Sequence, residues 1–458
     1  MPPAISDPAE LVIRTGSAAD IARFFRNSLP SVVGGALAQL ADPDRIKVLT
    51  ALSPRLAATA FTFLPLETQK MLLNAAPQGV VSLLLDNMPP DDRTRLFQHI
   101  PAHETTRLLA LMSPKEHREA VALLGYPATS VGSLMTPHYV CVSKDWTVQQ
   151  VLEHIRHTGQ DSETLTMIYV VDPEHRLIDD ISIRQFLLAP IDALVSDIMD
   201  NKFVALRASQ SQEAAVQMFR REDRKALPVL DGKDTLVGIV TIDDMLRVAE
   251  AEATRDTQKI GGSEAFDEPY MTIALGRMIK KRAGWLVFLF LGEMLTATAM
   301  GFFEKEIEKA VVLALFVPLI ISSGGNAGSQ AATLVIRALA VGELRLADWW
   351  RVMRREILSG LALGIILGII GFLRIAIWSG FSTVYGPHWL LVALTVGLSL
   401  IGIVLWGSLA GSMLPLLMRR LGFDPATSST PFVATLVDVT GLIIYFSIGI
   451  VVLRGTLL

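Results

Sequence analysis

Five long apolar stretches in the last two fifths of the chain constrain its fold more than any other feature. They lie near residues 284–303, 310–336, 357–379, 388–417 and 429–453. Each reaches the roughly 20 residues that a helix needs to cross about 30 Å of hydrocarbon. Charge thins out over the same region, because residues 284–458 hold only 11 basic and 9 acidic side chains. The sequence therefore predicts a transmembrane domain of five helices over residues 283–458.

Basic residues are distributed unevenly between the two ends of these spans. Eleven lie on the side where the first span begins, against three on the other side, Lys305, Lys309 and Arg454. Because Lys and Arg resist translocation, we expect a cytoplasmic N-terminus and an outside C-terminus in the cell (inner) membrane. The first 30 residues lack a basic head followed by an apolar core, so no cleavable signal peptide is expected.

Residues 1–128 show the apolar periodicity of short amphipathic helices. Prolines at positions 30, 43, 54, 65, 77 and 89 interrupt that pattern regularly and would end one helix and begin the next. The pattern predicts an all-α superhelical N domain. Asp91 and Asp92, just before Arg93, allow two interpretations: first-turn acids that complement the helix dipole, or ligands of a metal ion.

Residues 129–253 change character, with strand-like runs that alternate with helical patterns. Leu134–Pro137 and Asp197–Asp200 open two similar α/β units, and the second unit closes on the run from Gly238 to Asp244. This organisation is similar to a tandem of CBS domains. In that family a Gly-x-x-Thr/Ser-x-x-Asp segment can hold an adenosine nucleotide, which would make Thr241 and Asp244 ligands of ATP or another adenine nucleotide.

The first repeat departs from that nucleotide pattern. Asp179, Ser182 and Gln185 stand at the corresponding places, so the permissive glycine and the ribose carboxylate are both missing. A purely structural CBS pair is therefore the alternative interpretation. Residues 242–282, which follow the second repeat, are predicted to form connecting helices that lead into the first span.

Asp438 is the strongest functional candidate in the spans. It lies ten residues into the fifth apolar stretch, with no Lys or Arg nearby in the sequence. A carboxylate in hydrocarbon costs several kcal/mol unless it faces water, a cation or a partner, so such a residue predicts a functional site. The alternative is a purely structural Asp438, protonated or hydrogen-bonded to another helix.

The second span carries an unusual polar segment, Ser322–Gln330, with three glycines. Asn326 and Gln330 are four residues apart and can share one helix face. Such a segment can bring polar groups to a water-filled path, or its small residues can allow close helix packing. Glycines of the third and fourth spans are predicted to form packing faces. Glu293 and Arg374 would pair only if their spans were neighbours.

Two runs of the membrane region carry a family resemblance, namely Gly324–Gly328 with the residues that follow, and Asp424–Ala426 continuing through Pro431–Gly441. With these runs and the order of its domains, the chain resembles the MgtE-type magnesium channels over essentially its whole length. The resemblance implies a multidomain membrane protein with an all-α superhelical N domain, an α/β CBS tandem, a plug helix within residues 242–282 and an α-helical transmembrane domain with five spans. It also implies a homodimer whose pore lies between the two membrane domains.

The resemblance further implies which residues contact Mg²⁺. In the family, the aspartate that matches Asp438 and the carbonyl that matches Ala434 form the central ion site. The full set of expected metal-binding residues is Asp438, Ala434, Asp424, Asn326, Asp91, Asp92, Asp244, Glu252 and Asp256.

The residue types in the spans suit a hard divalent cation. Mg²⁺ demands octahedral oxygen geometry and gives up water reluctantly, so carboxylate and carbonyl acceptors can recognise the hydrated ion. His and Cys are not gathered in the spans, which argues against a zinc or copper site. The chain has no Walker A motif for a pump and no long basic block for nucleic acid.

Two other functional classes remain open at this stage. One is a non-conducting divalent-cation sensor that signals through the cytoplasmic domains. The other is a CBS-regulated membrane enzyme, which is disfavoured because the spans contain no Ser/His/Asp set and no His-rich zinc arrangement. The chain is therefore expected not to be an enzyme. Its single cysteine, Cys141, excludes an intramolecular disulfide.

Two arginines depart from the family pattern at the expected regulatory site. Asp244, Glu252 and Asp256 match acids that bind cytosolic Mg²⁺ in relatives, whereas Arg247 and Arg255 stand where further acids are expected. An arginine binds no Mg²⁺ and stays charged. We therefore expect gating by Mg²⁺ to be weakened, or replaced by direct pairing between arginine and carboxylate.

Overall fold

The computed structural model describes residues 12–13, 15–266, 270–271 and 273–456, and the chain divides after Ala249 into two compact units. The outer ends of the predicted N domain and membrane domain, residues 1 and 458, lie outside the described residues. So do residues 267–269 and 272 of the predicted connecting segment. Each unit is described by itself.

The first unit begins with short helices whose starts follow the prolines. Pro30, Pro54, Pro90 and Pro114 occupy the first helical position, where the missing N–H costs nothing. The helices are α1 (Ala18–Phe25), α2 (Pro30–Ala38), α3 (Asp42–Ala51), α4 (Pro54–Thr62), α5 (Leu66–Ala75), α6 (Gln78–Asn87), α7 (Pro90–Gln98), α8 (Ala102–Leu109) and α9 (Pro114–Leu124). Their apolar faces share one core, as the periodicity predicts.

Two small α/β repeats follow in the same unit. The first contains β1 (Cys141–Ser143), α10 (Val148–Thr158), β2 (Met167–Val171), β3 (Leu177–Ser182), α11 (Ile183–Leu188) and α12 (Val195–Ile198). The second contains β4 (Leu206–Arg207), α13 (Gln212–Glu222), β5 (Ala226–Leu230), β6 (Leu236–Thr241) and the start of α14 (Ile242–Ile260). In each sheet the middle strand pairs in parallel with the first strand and antiparallel with the third.

A buried ionic network joins α7 and α9 to the first repeat. Arg93 is fully buried and donates to Glu116 Oε2 at 2.9 Å and Glu119 Oε1 at 2.7 Å. Glu119 Oε2 lies 3.0 Å from His138 Nε2, in the segment before β1. The hydrogen bond to Glu119 raises the pKa of His138 above its usual value, although burial opposes the shift.

In the part of the chain that the structure describes, the second unit contains the rest of α14, five long apolar helices and two short helices. The helices after α14 are α15 (Leu275–Phe302), the short α16 (Glu304–Lys309) and α17 (Val311–Ala314), α18 (Val317–Ala340), α19 (Trp349–Ser379), α20 (Trp389–Arg420) and α21 (Thr430–Leu453). Among the described residues, five helical segments are long and apolar enough to cross a membrane. The predicted fold class is confirmed. The helix that contains the first span begins at Leu275, nine residues before the apolar stretch that starts at residue 284.

Glycines set the spacing of these helices. A methyl group added to Gly364 of α19 would lie 2.9 Å from Ile401 Cα of α20, and one added to Gly368 would lie 2.8 Å from the Gly397 carbonyl oxygen. Both distances are below the contact limit for real side chains. The predicted packing role of the third-span glycines is therefore confirmed.

We predict that the stability of the first unit falls as pH rises past the titration of His138. The pKa of His138 is raised in the folded state, so its stabilisation is complete below its unfolded value of about 6.5 and is lost as pH rises through the folded value. His138→Gln should remove about 1 kcal/mol at pH 6, or about 2–4 °C in Tm, and much less at pH 9. Thermal unfolding of both proteins at the two pH values measures this, and an equal loss at both would contradict it.

Candidate functional site

The carboxylate of Asp438 lies half-buried in the middle of α21, against a glycine of α18. A methyl group placed on Gly325 would lie 3.4 Å from Asp438 Oδ1 and 3.5 Å from Ala434 Cβ. Ala434 precedes Asp438 by one helical turn, so both face the same point of α18. Within the described part of the chain, Asp438 makes no ion pair with Lys or Arg. The carboxylate thus has acceptor capacity but no built-in countercharge.

A groove of about 500 Å³ runs between α15 and α21 near this carboxylate. Glu293 and Thr435 line it together with Leu286, Val287, Leu289 and Phe290. Glu293 is therefore a second carboxylate beside this groove, after Asp438. Arg374 does not serve as its partner, because the Arg374 guanidinium lies 4.6 Å from the centre of the Trp378 ring and 3.4 Å from the Tyr385 hydroxyl.

The polar segment of α18 has two faces with different roles. Gly324 and Gly328 are buried against α20 and α21, where an added methyl group on Gly328 would lie 3.0 Å from the Gly407 carbonyl oxygen. Asn326 and Gln330 are both exposed, and Asn326 Nδ2 donates to Ser322 Oγ at 3.4 Å. The packing interpretation is therefore confirmed for the glycines, whereas a water-filled path beside the outward-facing amides stays a prediction.

Asp424 is engaged by a lysine at the end of α14. Lys259 Nζ donates to Asp424 Oδ2 at 2.5 Å, and Thr430 Oγ1 donates to the Ile260 carbonyl oxygen at 2.7 Å. The Trp285 indole, on α15, donates to Ser429 Oγ at 3.1 Å. The first two bonds attach the last turn of α14 to the start of α21 and the segment before it, and the third attaches α15 to the same place. A metal ion at Asp424 would have to compete with Lys259.

A second acidic cluster lies in the first unit, between α7 and the start of α14. Asp91, Asp92 and Asp244 are all buried. Arg247 pairs directly with Asp244 and lies 3.5 Å from Asp91 Oδ2, 3.9 Å from Asp92 Oδ1 and 3.7 Å from Asp243 Oδ2. One guanidinium therefore contacts four carboxylates from two elements.

Burial and mutual repulsion change the protonation of this cluster. Burial, reinforced by Asp244 and Asp92, raises the pKa of Asp91 well above its usual range. Burial also raises the pKa of Asp244, against the opposing effect of Arg247. Glu163 faces the same acids, and its pKa is raised by burial and then by Asp244. The cluster holds more carboxylates than one arginine balances, which favours the protonated forms of Asp91, Asp244 and Glu163.

The other expected regulatory acids lie further along α14. Glu252 pairs with Arg255 at 2.7 Å, one turn away on the same helix. Asp256 also lies on α14. Among the described residues, no group of three or more His, Cys, Asp or Glu side chains is arranged to hold a metal ion. The proposed metal ligands Asp91, Asp92 and Asp244 come together, but around an arginine.

The two residues expected to bind nucleotide are hydrogen-bonded to neighbours. Thr241 Oγ1 lies 2.5 Å from Asp243 Oδ1 and 2.9 Å from Asp244 Oδ2, and its one hydroxyl hydrogen is shared between these two acceptors. A cavity of about 460 Å³ lies instead beside Ser182, Gln185 and Arg224. Asp180 pairs with Arg224 at its wall, and burial raises the pKa of Asp180 to about 7 despite that pairing.

Three side chains of these sites escape prediction from the sequence. Asp243 directly precedes Asp244, so its place in the acidic cluster could have been predicted from that neighbour. Glu163 carries no local signal, because it lies in a loop before β2. Lys259 also carries none, since its partner Asp424 is 165 residues away.

Comparison with known proteins gives a consistent result over most of the chain. Residues 317–448 match the family of MgtE divalent cation transporters, residues 30–129 the MgtE intracellular N domain, and residues 131–192 and 195–251 the CBS domain. The magnesium transporter MgtE of Thermus thermophilus is 42% identical over 345 residues, which are 75% of this chain and 75% of that protein. The chain belongs to the MgtE family.

Other MgtE relatives agree with this assignment. The magnesium transporter MgtE of Bacillus subtilis is 28% identical over 442 residues, covering 96% of this chain and 95% of that protein. The crystal structure of the soluble part of a magnesium transporter superposes with a TM-score of 0.52 at 26% identity, over 54% of this chain and 97% of that structure. The resemblance inferred from the sequence motifs is confirmed, and the MgtE chain is a multi-pass membrane protein.

Proposed function

We propose that this chain is a magnesium transporter that conducts Mg²⁺ across the membrane as a homodimer, with α21 of each copy lining the path. The observation that carries the proposal is the mid-span carboxylate of Asp438, which faces Gly325 and lacks a cationic partner among the described residues. Membership of a family of divalent cation transporters supports it. In this proposal, two copies of Asp438 face each other across the dimer axis, with the Ala434 carbonyls and Asn326 nearby.

The chemistry of Asp438 favours a hydrated ion over a dehydrated one. Mg²⁺ keeps most of its water and binds proteins through one or two carboxylates, which is what one Asp438 from each copy would supply. The membrane potential would then drive the ion inward. The driving free energy is about 2.3 kcal/mol per charge per 100 mV, and it doubles for a divalent ion. No chemical step is required.

The remaining expectations complete the proposal. The proposed domains are a cytoplasmic helical N domain over 1–128, CBS repeats over 129–253, connecting and plug helices over 242–282, and the pore domain over 283–458. The distribution of Lys and Arg supports a cytoplasmic N-terminus and an outside C-terminus in the inner membrane. Expected partners are a second copy of the chain, Mg²⁺ and membrane lipid, without nucleic acid.

A non-conducting sensor remains the second candidate, because the acidic cluster around Arg247 could report divalent cations without a pore. The two functions differ in one measurement. Purified protein in liposomes loaded with a Mg²⁺-sensitive dye should take up Mg²⁺ if it conducts, and should give the rate of empty liposomes if it only senses. No observation favours a membrane enzyme.

Gating by the cytoplasmic domains is proposed to depend on Arg247. In the family resemblance, Mg²⁺ holds carboxylates of the N domain and the CBS repeats together in the closed state. Here Arg247 contacts Asp91, Asp92 and Asp244, which is the role a divalent cation would otherwise have. A built-in cation keeps these acids together at any Mg²⁺ concentration, so the sensitivity of this step to Mg²⁺ is reduced.

Nucleotide binding to the CBS tandem is proposed with ATP or another adenine nucleotide as ligand. Thr241 and Asp244 would have to give up their present hydrogen bonds, whereas the cavity beside Ser182 and Arg224 already offers about 460 Å³. Calorimetric titration of the full chain with ATP tests this proposal. Loss of binding in Thr241→Ala would support the site at Thr241 and Asp244, and loss of binding in Arg224→Gln would support the cavity beside Ser182 and Arg224.

We predict that replacing Asp438 abolishes or sharply reduces Mg²⁺ uptake. Asp438→Ala removes the charge, and Asp438→Asn keeps the size but loses the charge, so both should be impaired if electrostatic attraction holds the hydrated ion. Liposome uptake by each variant, compared with wild type at equal protein content, measures the effect. Thr440→Ser, two residues further along α21, is the control that should retain transport. Wild-type uptake by Asp438→Ala would rule out the pore assignment.

We predict a graded response at Gly325. Alanine places its methyl group at ordinary contact distance from Asp438 and Ala434, so Gly325→Ala should transport at a rate within about twofold of wild type. Gly325→Leu adds four carbons, three more than alanine, and should block the path by bulk. Uptake assays on both variants, with monodispersity checked in detergent, give the comparison. A normal rate in the leucine variant would place α18 away from the path.

We predict that removing the two arginines increases sensitivity to cytosolic Mg²⁺. Arg247→Asp with Arg255→Glu turns two fixed cations into possible ligands and should close the channel at lower concentration than wild type. Patch recordings with internal Mg²⁺ stepped from micromolar to about ten millimolar span the range of regulatory divalent sites.

The two single variants separate the contributions of these arginines. Arg247→Asp should carry most of the change, because Arg247 lies inside the acidic cluster. Arg255→Glu should have a small effect, since Arg255 pairs only with Glu252 among the described ion pairs. A wild-type channel that already closes sharply below a millimolar, unchanged in the double variant, would refute the role given to the arginines.

A further inference from the structure

The first two turns of α19 carry two exposed tryptophans and three exposed arginines. Trp349 and Trp350 are 51% and 59% exposed, and the Arg351 side chain is 85% exposed. Arg354 and Arg355 follow on the next turn and are also exposed. We call these five residues the Trp–Arg patch. It belongs to none of the sites described above.

The charges of the Trp–Arg patch are poorly compensated within the protein. Arg351 lies 3.4 Å from Asp348, whereas neither Arg354 nor Arg355 makes an ion pair with any described residue. Like charges three and four residues apart on a helix repel, and cations at a helix N-terminus oppose the helix dipole. The one nearby acid on the helix, Glu356, is half-buried. An anion supplied from outside the protein would therefore stabilise this turn.

The length of α19 places the patch at the membrane surface. Its 31 residues span about 46 Å at 1.5 Å each, which exceeds the roughly 30 Å hydrocarbon thickness by several turns. Arg351 and Arg354 precede Leu358 and Leu361 by seven residues and so share their helix face. Leu358 is 62% exposed on the apolar part of the helix, where its neighbour would be lipid. The arginines thus stand directly above a lipid-facing stripe.

We propose that the Trp–Arg patch binds the phosphate headgroup of an anionic phospholipid. Guanidinium groups bind phosphate oxygens through paired hydrogen bonds, and indole rings favour the boundary between headgroups and acyl chains. An acidic protein segment would match the charge but not the continuous lipid-facing stripe below it. This inference is independent of the proposed transport, because it concerns binding of lipid to the outer face of α19.

Native mass spectrometry of the full-length protein in detergent tests the proposal directly. Wild type, mixed with equal amounts of phosphatidylglycerol and phosphatidylcholine, should retain the anionic lipid preferentially. The variant with Arg351→Gln, Arg354→Gln and Arg355→Gln should lose about tenfold or more of that preference. Replacing the same three residues by lysine should leave an intermediate preference, since charge remains but paired hydrogen bonding is lost.

The control variant removes three exposed arginines of the first unit, Arg118→Gln, Arg220→Gln and Arg221→Gln, and has the same net charge. It should bind lipid as wild type does. An equal loss of preference in the control, an unchanged preference in the patch variant, or displacement of the lipid by millimolar inorganic phosphate would each overturn the proposal. If the triple variant fails to fold, Arg354→Gln and Arg355→Gln are measured singly, each with an expected loss of about fivefold.

Discussion

Close approach of two helix backbones, those of α18 and α20, is the constraint on which the membrane unit depends. Gly324 and Gly328 of α18 lie against Gly407 and Gly411 of α20, where a methyl group added to either α20 glycine would meet a carbonyl oxygen of α18. Such contacts fix α18 in rotation, because only its glycine face fits. Gly325 then faces α21, and Asn326 faces outward. The position of the polar groups around Asp438 is thus a consequence of packing by residues that have no polar side chain.

Much of this arrangement could be predicted from the sequence, because hydropathy and charge accumulate along the chain and need no knowledge of contacts. The five spans, and the position of Asp438 in the fifth of them, follow from hydropathy and charge summed over successive stretches of sequence. The start of α15 at Leu275 does not, since hydropathy marks where hydrocarbon begins and not where a helix begins. Strand β3 is also hard to predict, because Asp179 and Asp180 interrupt its apolar pattern. The structure shows why Asp179 can be buried there: its Oδ2 accepts hydrogen bonds from the backbone N–H groups of Asp200 and Asn201.

Contacts between distant segments were the part that the sequence could not supply. Arg247 and Arg255 look equivalent as acid-to-arginine departures, yet Arg247 contacts acids of α7 while Arg255 pairs within its own helix. The difference arises from tertiary packing, which brings Asp91 to the start of α14. Lys259 and Asp424 illustrate the same limit, because each residue is ordinary in its local context and their pairing gives each a defined role.

The buried carboxylates around Asp91 and Asp244 and the half-buried carboxylate of Asp438 differ in where their compensating positive charge comes from. Around Asp91 and Asp244, Arg247 from the same chain supplies the positive charge within the cluster. At Asp438, no cation among the described residues lies within ion-pair distance. A carboxylate in hydrocarbon without such a partner attracts a mobile cation. In our proposal, that difference separates a permanent internal contact from a site that an ion can enter and leave.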